Sequence, residues 1–175
     1  FQAVNIYVDE NDEVIIPSIG FVAAANAVIS KKAQPIFCDV DPNTLNPRVS
    51  DIEKCITKKT KAIIILHYAG VPCDIEGILE LCKKYNIKLI EDASEALGSF
   101  YGKRHLGTFG DVGILSFNGN KIITSGAGGA LLTNKYNIFN KAEHLAQNAK
   151  LSHKWKYNYN DLGYNIKMPN LNASL

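Results

Sequence analysis

Lys61-Ala-Ile-Ile-Ile-Leu-His-Tyr-Ala-Gly-Val-Pro-Cys-Asp-Ile-Glu-Gly-Ile-Leu-Glu-Leu-Cys-Lys-Lys-Tyr-Asn-Ile-Lys-Leu-Ile-Glu91 decides the fold, because it reads as strand, helix and strand in succession. Lys61 to Leu66 is an unbroken apolar run, the pattern of a strand buried on both faces of a parallel sheet. Asp74 is placed to cap a helix over Ile75 to Tyr85, where Ile75, Ile78, Leu79 and Cys82 fall at helical spacing. Ile87 to Glu91 resumes strand character. A helix joining two such strands returns the chain in a right-handed crossover, which makes them parallel.

The same alternation extends outward on both sides. Upstream, Glu13-Val-Ile-Ile-Pro17 is a short strand closed by a proline that cannot continue a central ladder. Gly20 to Ile29 is Ala-rich and favours helix, Pro35 to Val40 reads as a second strand, and Ser50-Asp-Ile-Glu53 has the spacing of a capping box. Downstream the rhythm changes. Leu97 to Leu106 reads as a hairpin around Gly102, Val112 to Phe117 and Gly129 to Thr133 as strands, Lys135 to Gln147 as a helix, and Leu151 to Asp161 as an exposed loop. The class is α/β, with a mostly parallel central sheet flanked by helices.

Composition bounds the function. With 46% hydrophobic and 21% charged residues the chain is globular rather than disordered or fibrous. The net charge of +2 comes from scattered residues with no basic block longer than Lys58-Lys59, so nucleic acid is not an expected partner. Cys38, Cys55, Cys73 and Cys82 form no C-x-x-C pair and lie near no histidine at ligand spacing, so reduced thiols are expected and a metal is not. No leader pattern or membrane-length apolar run occurs, which points to a cytoplasmic protein without membrane association. Both ends read as cut: the chain begins in mid-phrase at Phe1-Gln-Ala-Val and stops inside the opening of an apolar helix.

Open parallel sheets bind ligands beyond the carboxyl ends of their strands, so residues just after strands have first claim on chemistry. Lys121 lies in a Gly-, Ser- and Asn-rich turn after a strand, and an amine in such a cleft is a candidate for Schiff-base chemistry; an isolated loop lysine is ordinarily just solvated. Asp92 ends an apolar strand, where a carboxylate needs a cation or several donors, or else caps a helix. Glu95 is either a capping-box partner or a second acid near the same ligand. Ser116, Asn118 and Asn120 are donors beside Lys121, and Gly119, Gly126, Gly128 and Gly129 either admit a phosphate or simply form turns. Phe21, after Pro17, either lays its ring on a flat cofactor or belongs to the core.

Taken together, Asp12-Glu-Val-Ile-Ile-Pro-Ser18, Phe37-Cys-Asp-Val-Asp-Pro42, Thr60-Lys-Ala-Ile-Ile64, Leu89-Ile-Glu-Asp-Ala-Ser-Glu-Ala96, Gly107-Thr-Phe-Gly-Asp111, Ser116-Phe-Asn-Gly-Asn-Lys121 and Gly163-Tyr-Asn-Ile-Lys-Met-Pro-Asn170 resemble, in order, the DegT/DnrJ/EryC1/StrS sugar aminotransferases. The Ser-Phe-Asn-Gly-Asn-Lys wording is closest to the LegC-like and perosamine-synthase-like branch. The resemblance implies the large domain of a fold-type I pyridoxal 5'-phosphate (PLP) enzyme over residues 1–150, its N-terminal part missing. Residues 151–175 would then be an exposed loop and the start of a connection to an absent C-terminal small domain.

The resemblance also implies roles. Lys121 would carry the cofactor as a Schiff base, Asp92 would face the pyridine nitrogen, Phe21 would stack on the ring, and Ser116 would hold the phosphate. Glu95 would lie near the phenolic oxygen, and Asn165 would reach the phosphate of the neighbouring subunit of a homodimer. The implied reaction is amination of a keto nucleotide sugar, of the 4-keto-6-deoxy class, with glutamate as amino donor, for surface polysaccharide or glycan biosynthesis. Gly20, Lys167 and Glu95 depart from the commoner threonine, arginine and glutamine of the family. A PLP-dependent sugar dehydratase, whose Schiff-base lysine is replaced by histidine, is disfavoured by Lys121. A non-catalytic regulator or scaffold on the same fold is the alternative from another class.

Overall fold

The computed structural model describes all residues, Phe1–Leu175. In chain order its elements are α1 (Gln2–Tyr7), β1 (Glu13–Pro17), α2 (Ala23–Ser30), β2 (Gln34–Cys38), α3 (Val49–Lys54), β3 (Thr60–Leu66), a 3₁₀ turn (Tyr68–Gly70), α4 (Ile75–Tyr85), β4 (Lys88–Asp92), β5 (Phe100–Tyr101), β6 (Arg104–His105), β7 (Val112–Ser116), β8 (Gly129–Leu132), α5 (Tyr136–Ala146) and α6 (Asn170–Ala173). Six strands form one sheet in the order β2-β1-β3-β4-β7-β8. Every pairing in it is parallel except β7 with β8, while β5 and β6 make the separate hairpin expected around Gly102.

Side-chain alternation along the strands feeds two cores. Val14, Ile16, Ala62, Ile64, Ile90 and Val112 pack on one face against α1, α2 and α5. Ile15, Ile63, Ile65 and Leu89 pack on the other, against Ile52 of α3 and Ile78, Leu81 and Cys82 of α4. Each fully buried aliphatic side chain is worth about 2 kcal/mol of transfer free energy, so the two-sided burial of β3 accounts for its unbroken apolar sequence. Cys38, Cys73 and Cys82 belong to this second core, and burial pushes their thiols up to about 12, which leaves them unreactive.

Local signals held where the chain nearby supplied the partner. Asp74 caps α4, its Oδ1 accepting the Gly77 amide at 3.1 Å, and Asn86 ends that helix in the left-handed conformation at φ 54. The Ser50 capping box does not form. The helix starts two residues earlier, at Val49 with Arg48 as an N-cap that makes no side-chain bond, and Glu53, the other member of the box, instead accepts Lys84 Nζ at 2.8 Å and Tyr85 OH at 2.9 Å. Likewise α2 begins at Ala23, because Gly20 to Val22 are taken up by the turn that follows β1.

Candidate active site

The carboxyl ends of β1, β3 and β4 open onto a cleft of about 230 Å³. Its walls are the apolar side chains of Ile16, Ile64 and Leu66, with Ser18 and Phe21 on one side and Asp92 on the other. Register explains the convergence. Leu66 is the pairing partner of Asp92, and Asp92 shares a sheet face with Ile90 and Ile64, so its carboxylate emerges at the end of an otherwise apolar face. Asp92 caps no helix. Its Oδ1 accepts the Ser94 amide at 3.0 Å in a tight turn, and its other oxygen has no hydrogen-bond partner in the chain. Phe21 is 80% exposed, so it is not a core aromatic; its ring stands at the rim of the cleft.

Ser116 and Lys121 rise from the neighbouring strand. Asp92 pairs with Ile114 of β7, and Ser116, two residues further, lies on the same face about 7 Å along the strand. The loop that follows carries Lys121, half-buried, with its amide bonded to the Asn118 carbonyl at 3.0 Å and its ammonium free of any ion pair or hydrogen bond within the chain. Phe117 ties the loop off through Gly128 and Ser125, and Asn172 Nδ2 anchors it by donating to the Ser125 carbonyl at 2.6 Å. Two of the glycines here have packing reasons: a Cβ on Gly128 would lie 2.7 Å from Met168 Cγ, and one on Gly129 would lie 2.6 Å from the Leu115 carbonyl oxygen, whereas one on Gly119 would meet nothing within 4 Å.

The remaining two candidates stand apart. Glu95 Oε2 accepts the Ala69 amide at 2.8 Å, which makes it a clamp on the turn after β3 rather than a capping-box residue. Asn165 is exposed, in the irregular stretch beyond the Lys150–Tyr159 bridge, and lines no part of the Phe21–Asp92 cleft. Sequence reading missed what lies directly behind Asp92. Glu91 and His67 are both wholly buried and bonded to each other at 3.1 Å. The available signal was an acid inside an apolar strand, which requires buried partners.

The site suits a flat, cationic heterocycle: apolar walls for its faces, an aromatic ring at the rim, and one carboxylate with an unpaired oxygen to receive an N–H⁺. The group of residues that a metal ion would need, three or more His, Cys, Asp or Glu together, does not occur. No helix is long and apolar enough to cross a membrane.

Residues 2–175 match the model of the DegT/DnrJ/EryC1/StrS aminotransferase family. Among similar proteins, a GDP-perosamine synthase of Escherichia coli O157:H7 is 44% identical over 168 residues, 96% of this chain and 46% of that protein. A dTDP-4-dehydro-2,3,6-trideoxy-D-glucose 4-aminotransferase of Saccharopolyspora spinosa is 38% identical, over 94% of this chain and 46% of the relative. The solved structure of NtdA from Bacillus subtilis with bound cofactor PMP superposes with a TM-score of 0.88 at 30% identity, over 99% of this chain and 39% of that one. The chain therefore belongs to the DegT/DnrJ/EryC1/StrS aminotransferase family, whose cofactor is PLP, and it spans about half the length of the curated relatives it matches.

Proposed function

Starting from that membership, we propose that the full-length protein is a PLP-dependent aminotransferase that converts a keto nucleotide sugar, of the 4-keto-6-deoxy class, into an amino sugar. Glutamate is the amino donor, and the enzyme works in the cytoplasm as a homodimer supplying surface polysaccharide or glycan synthesis. The observation that carries the reading is the meeting of Asp92 and Phe21 in one cleft, with Lys121 on the loop of the adjacent strand.

When bound, the cofactor supplies an electron sink for the charge left on the donor's α-carbon as its proton departs. Asp92 keeps the ring nitrogen protonated through its unpaired oxygen, in a cleft whose apolar walls strengthen that interaction. Phe21 would lie against the ring, and Ser116 would donate its hydroxyl to the phosphate. Lys121 would hold the cofactor through its amine, and that amine, once free, would be the group that takes up and returns the proton of the donor's α-carbon. With the keto sugar bound, the same amine would move protons in the reverse sense. Overall, donor and keto sugar become keto acid and amino sugar. Glu95 steadies the turn beside the site, and Asn165 reaches the partner subunit's phosphate.

The test is an assay of the full-length enzyme with PLP and glutamate against a panel of keto nucleotide sugars, detecting by mass the exchange of a keto oxygen for an amino group. Absence of product from every 4-keto sugar, with cofactor bound, would reject the substrate class.

A further inference from the structure

Glu91 and Asp92 end the same strand and point to opposite faces of the sheet. Asp92 enters the cleft, whereas Glu91 has no exposed surface, a position that an acid tolerates only when fully hydrogen-bonded. Four donors meet it. His67 Nε2 and the Gly107 amide reach Oε2 at 3.1 and 2.9 Å, and the Phe109 and Gly110 amides reach Oε1 at 2.6 and 2.5 Å. His67 Nδ1 accepts the Cys73 amide at 3.2 Å, which places the imidazole proton on Nε2, so a neutral ring donates to an ionised carboxylate. Burial alone would push Glu91 up; the bonds from His67, Gly110 and Gly107 outweigh it and hold the carboxyl below its ordinary value.

These donors sit on the segments that place the proposed site. The backbone amide of His67 also donates to the Asp92 carbonyl at 3.1 Å. Gly107 to Gly110 lead straight into β7, the strand that ends in Ser116 and opens into the Lys121 loop. The ladder between β4 and β7 has only three pairs, Ile90 with Val112, Glu91 with Gly113 and Asp92 with Ile114. A slip by two residues would keep every apolar side chain on its own face, so hydrophobic patterning does not forbid it, yet it would carry Ser116 about 7 Å from its place. Glu91 lies in the middle pair and grips the incoming loop at three points, Gly107, Phe109 and Gly110.

We propose that Glu91 and His67 form a positioning pair that fixes the register of β7 against β4, and so sets Lys121 and Ser116 relative to Asp92. The inference rests on the functional reading above. Neither side chain touches cofactor or substrate.

The test uses the full-length, PLP-loaded enzyme with Glu91→Gln and His67→Asn. The first removes the ionised acceptor; the second keeps an oxygen for the Cys73 amide but no longer reaches Glu91. Both are expected to speed hydrogen exchange at the Gly107, Phe109 and Gly110 amides by at least about tenfold, the cost of one lost bond to a charged group. Both should lower kcat by up to about a hundred-fold, as a misplacement near 1 Å does, with the KM for glutamate little changed. Ile78→Ala, in the core on the same face as Glu91, is the control for a general loss of stability. If folded His67→Asn and Glu91→Gln keep kcat within about twofold of wild type, or if Ile78→Ala loses as much kcat at an equal loss of Tm, the positioning role is overturned. His67→Asn decides alone if Glu91→Gln does not fold. Retention of turnover by Lys121→Ala would instead remove the functional reading, and this inference with it.

Discussion

The Glu95 carboxylate accepts the Ala69 amide at 2.8 Å and holds Ala69 in the left-handed conformation, at φ 50. That conformation costs a residue with a Cβ about 1 kcal/mol relative to glycine. Ala69→Gly should therefore stabilise the protein by up to about 1 kcal/mol, less whatever the freer unfolded glycine takes back. Glu95→Gln keeps an acceptor oxygen and should leave the urea midpoint nearly unmoved. Glu95→Ala should lower the unfolding free energy by about 1 kcal/mol, read as a fall in the urea midpoint, a figure reduced for the partial exposure of the pair.

Lys121→Ala should lower kcat by at least about a hundred-fold, the lower end of what positioned acid–base catalysis supplies. With the proposed phosphate contacts and Asp92 retained, cofactor binding should persist, while borohydride should no longer fix cofactor to the chain. Mass spectrometry of the reduced protein separates a chemical role from a structural one. A variant keeping a tenth of wild-type turnover would exclude Lys121 as the reactive amine.

Asp92→Asn differs in kind. The lysine link still forms, but the ring nitrogen loses the charge that keeps it protonated. We expect kcat to fall by about a hundred-fold or more, on the scale of losing one preorganised electrostatic partner, with borohydride fixation intact. An unchanged kcat would show that the Asp92 carboxylate does not face the ring nitrogen.

Glu91 gives stability a defined acid dependence. Its folded-state value lies below the ordinary 4.5 that it recovers on unfolding, so the unfolded chain binds its proton first as pH falls. The stabilisation is complete above that ordinary value and is lost as pH drops through the lower folded one. Comparing urea midpoints of wild type and Glu91→Gln at pH 7 and below pH 4.5 should show a gap that narrows in acid. A gap that widens would contradict the sign.

Asn165 lines no part of the Phe21–Asp92 cleft, and the function proposed above assigns it to the partner subunit's site. Lys121→Ala and Asn165→Ala subunits of the full-length protein, unfolded together and reassembled, should then show more activity than either variant alone, because one site of each mixed dimer is native. No gain over the separate variants would assign Asn165 to its own subunit or to no site.

The sheet strands, most helices and the α/β class were legible because they rest on neighbours in the chain, whereas α1 was not expected from the sequence. The apolar run of β3 must be buried on two faces whatever surrounds it, and Asp74 finds its donor three residues away at Gly77. Where a signal had a stronger competitor, the expectation failed: Ser50 and Glu53 had the capping spacing, but Lys84 and Tyr85 of α4 take up the Glu53 carboxylate and the helix starts earlier, after Arg48.

By itself the sequence determined the parallel sheet, the chain order of its strands, the strand-end positions of Asp92 and Ser116 and the loop position of Lys121, since period and punctuation are properties of adjacent residues. Only the tertiary structure decided that Phe21 stands exposed at a cleft wall, that Glu95 clamps Ala69, and that Glu91 gathers His67, Gly107, Phe109 and Gly110 behind Asp92. The physical reason is the same each time. A buried carboxylate must collect donors from wherever folding brings them, and segments far apart in the chain meet only when the sheet has set its register.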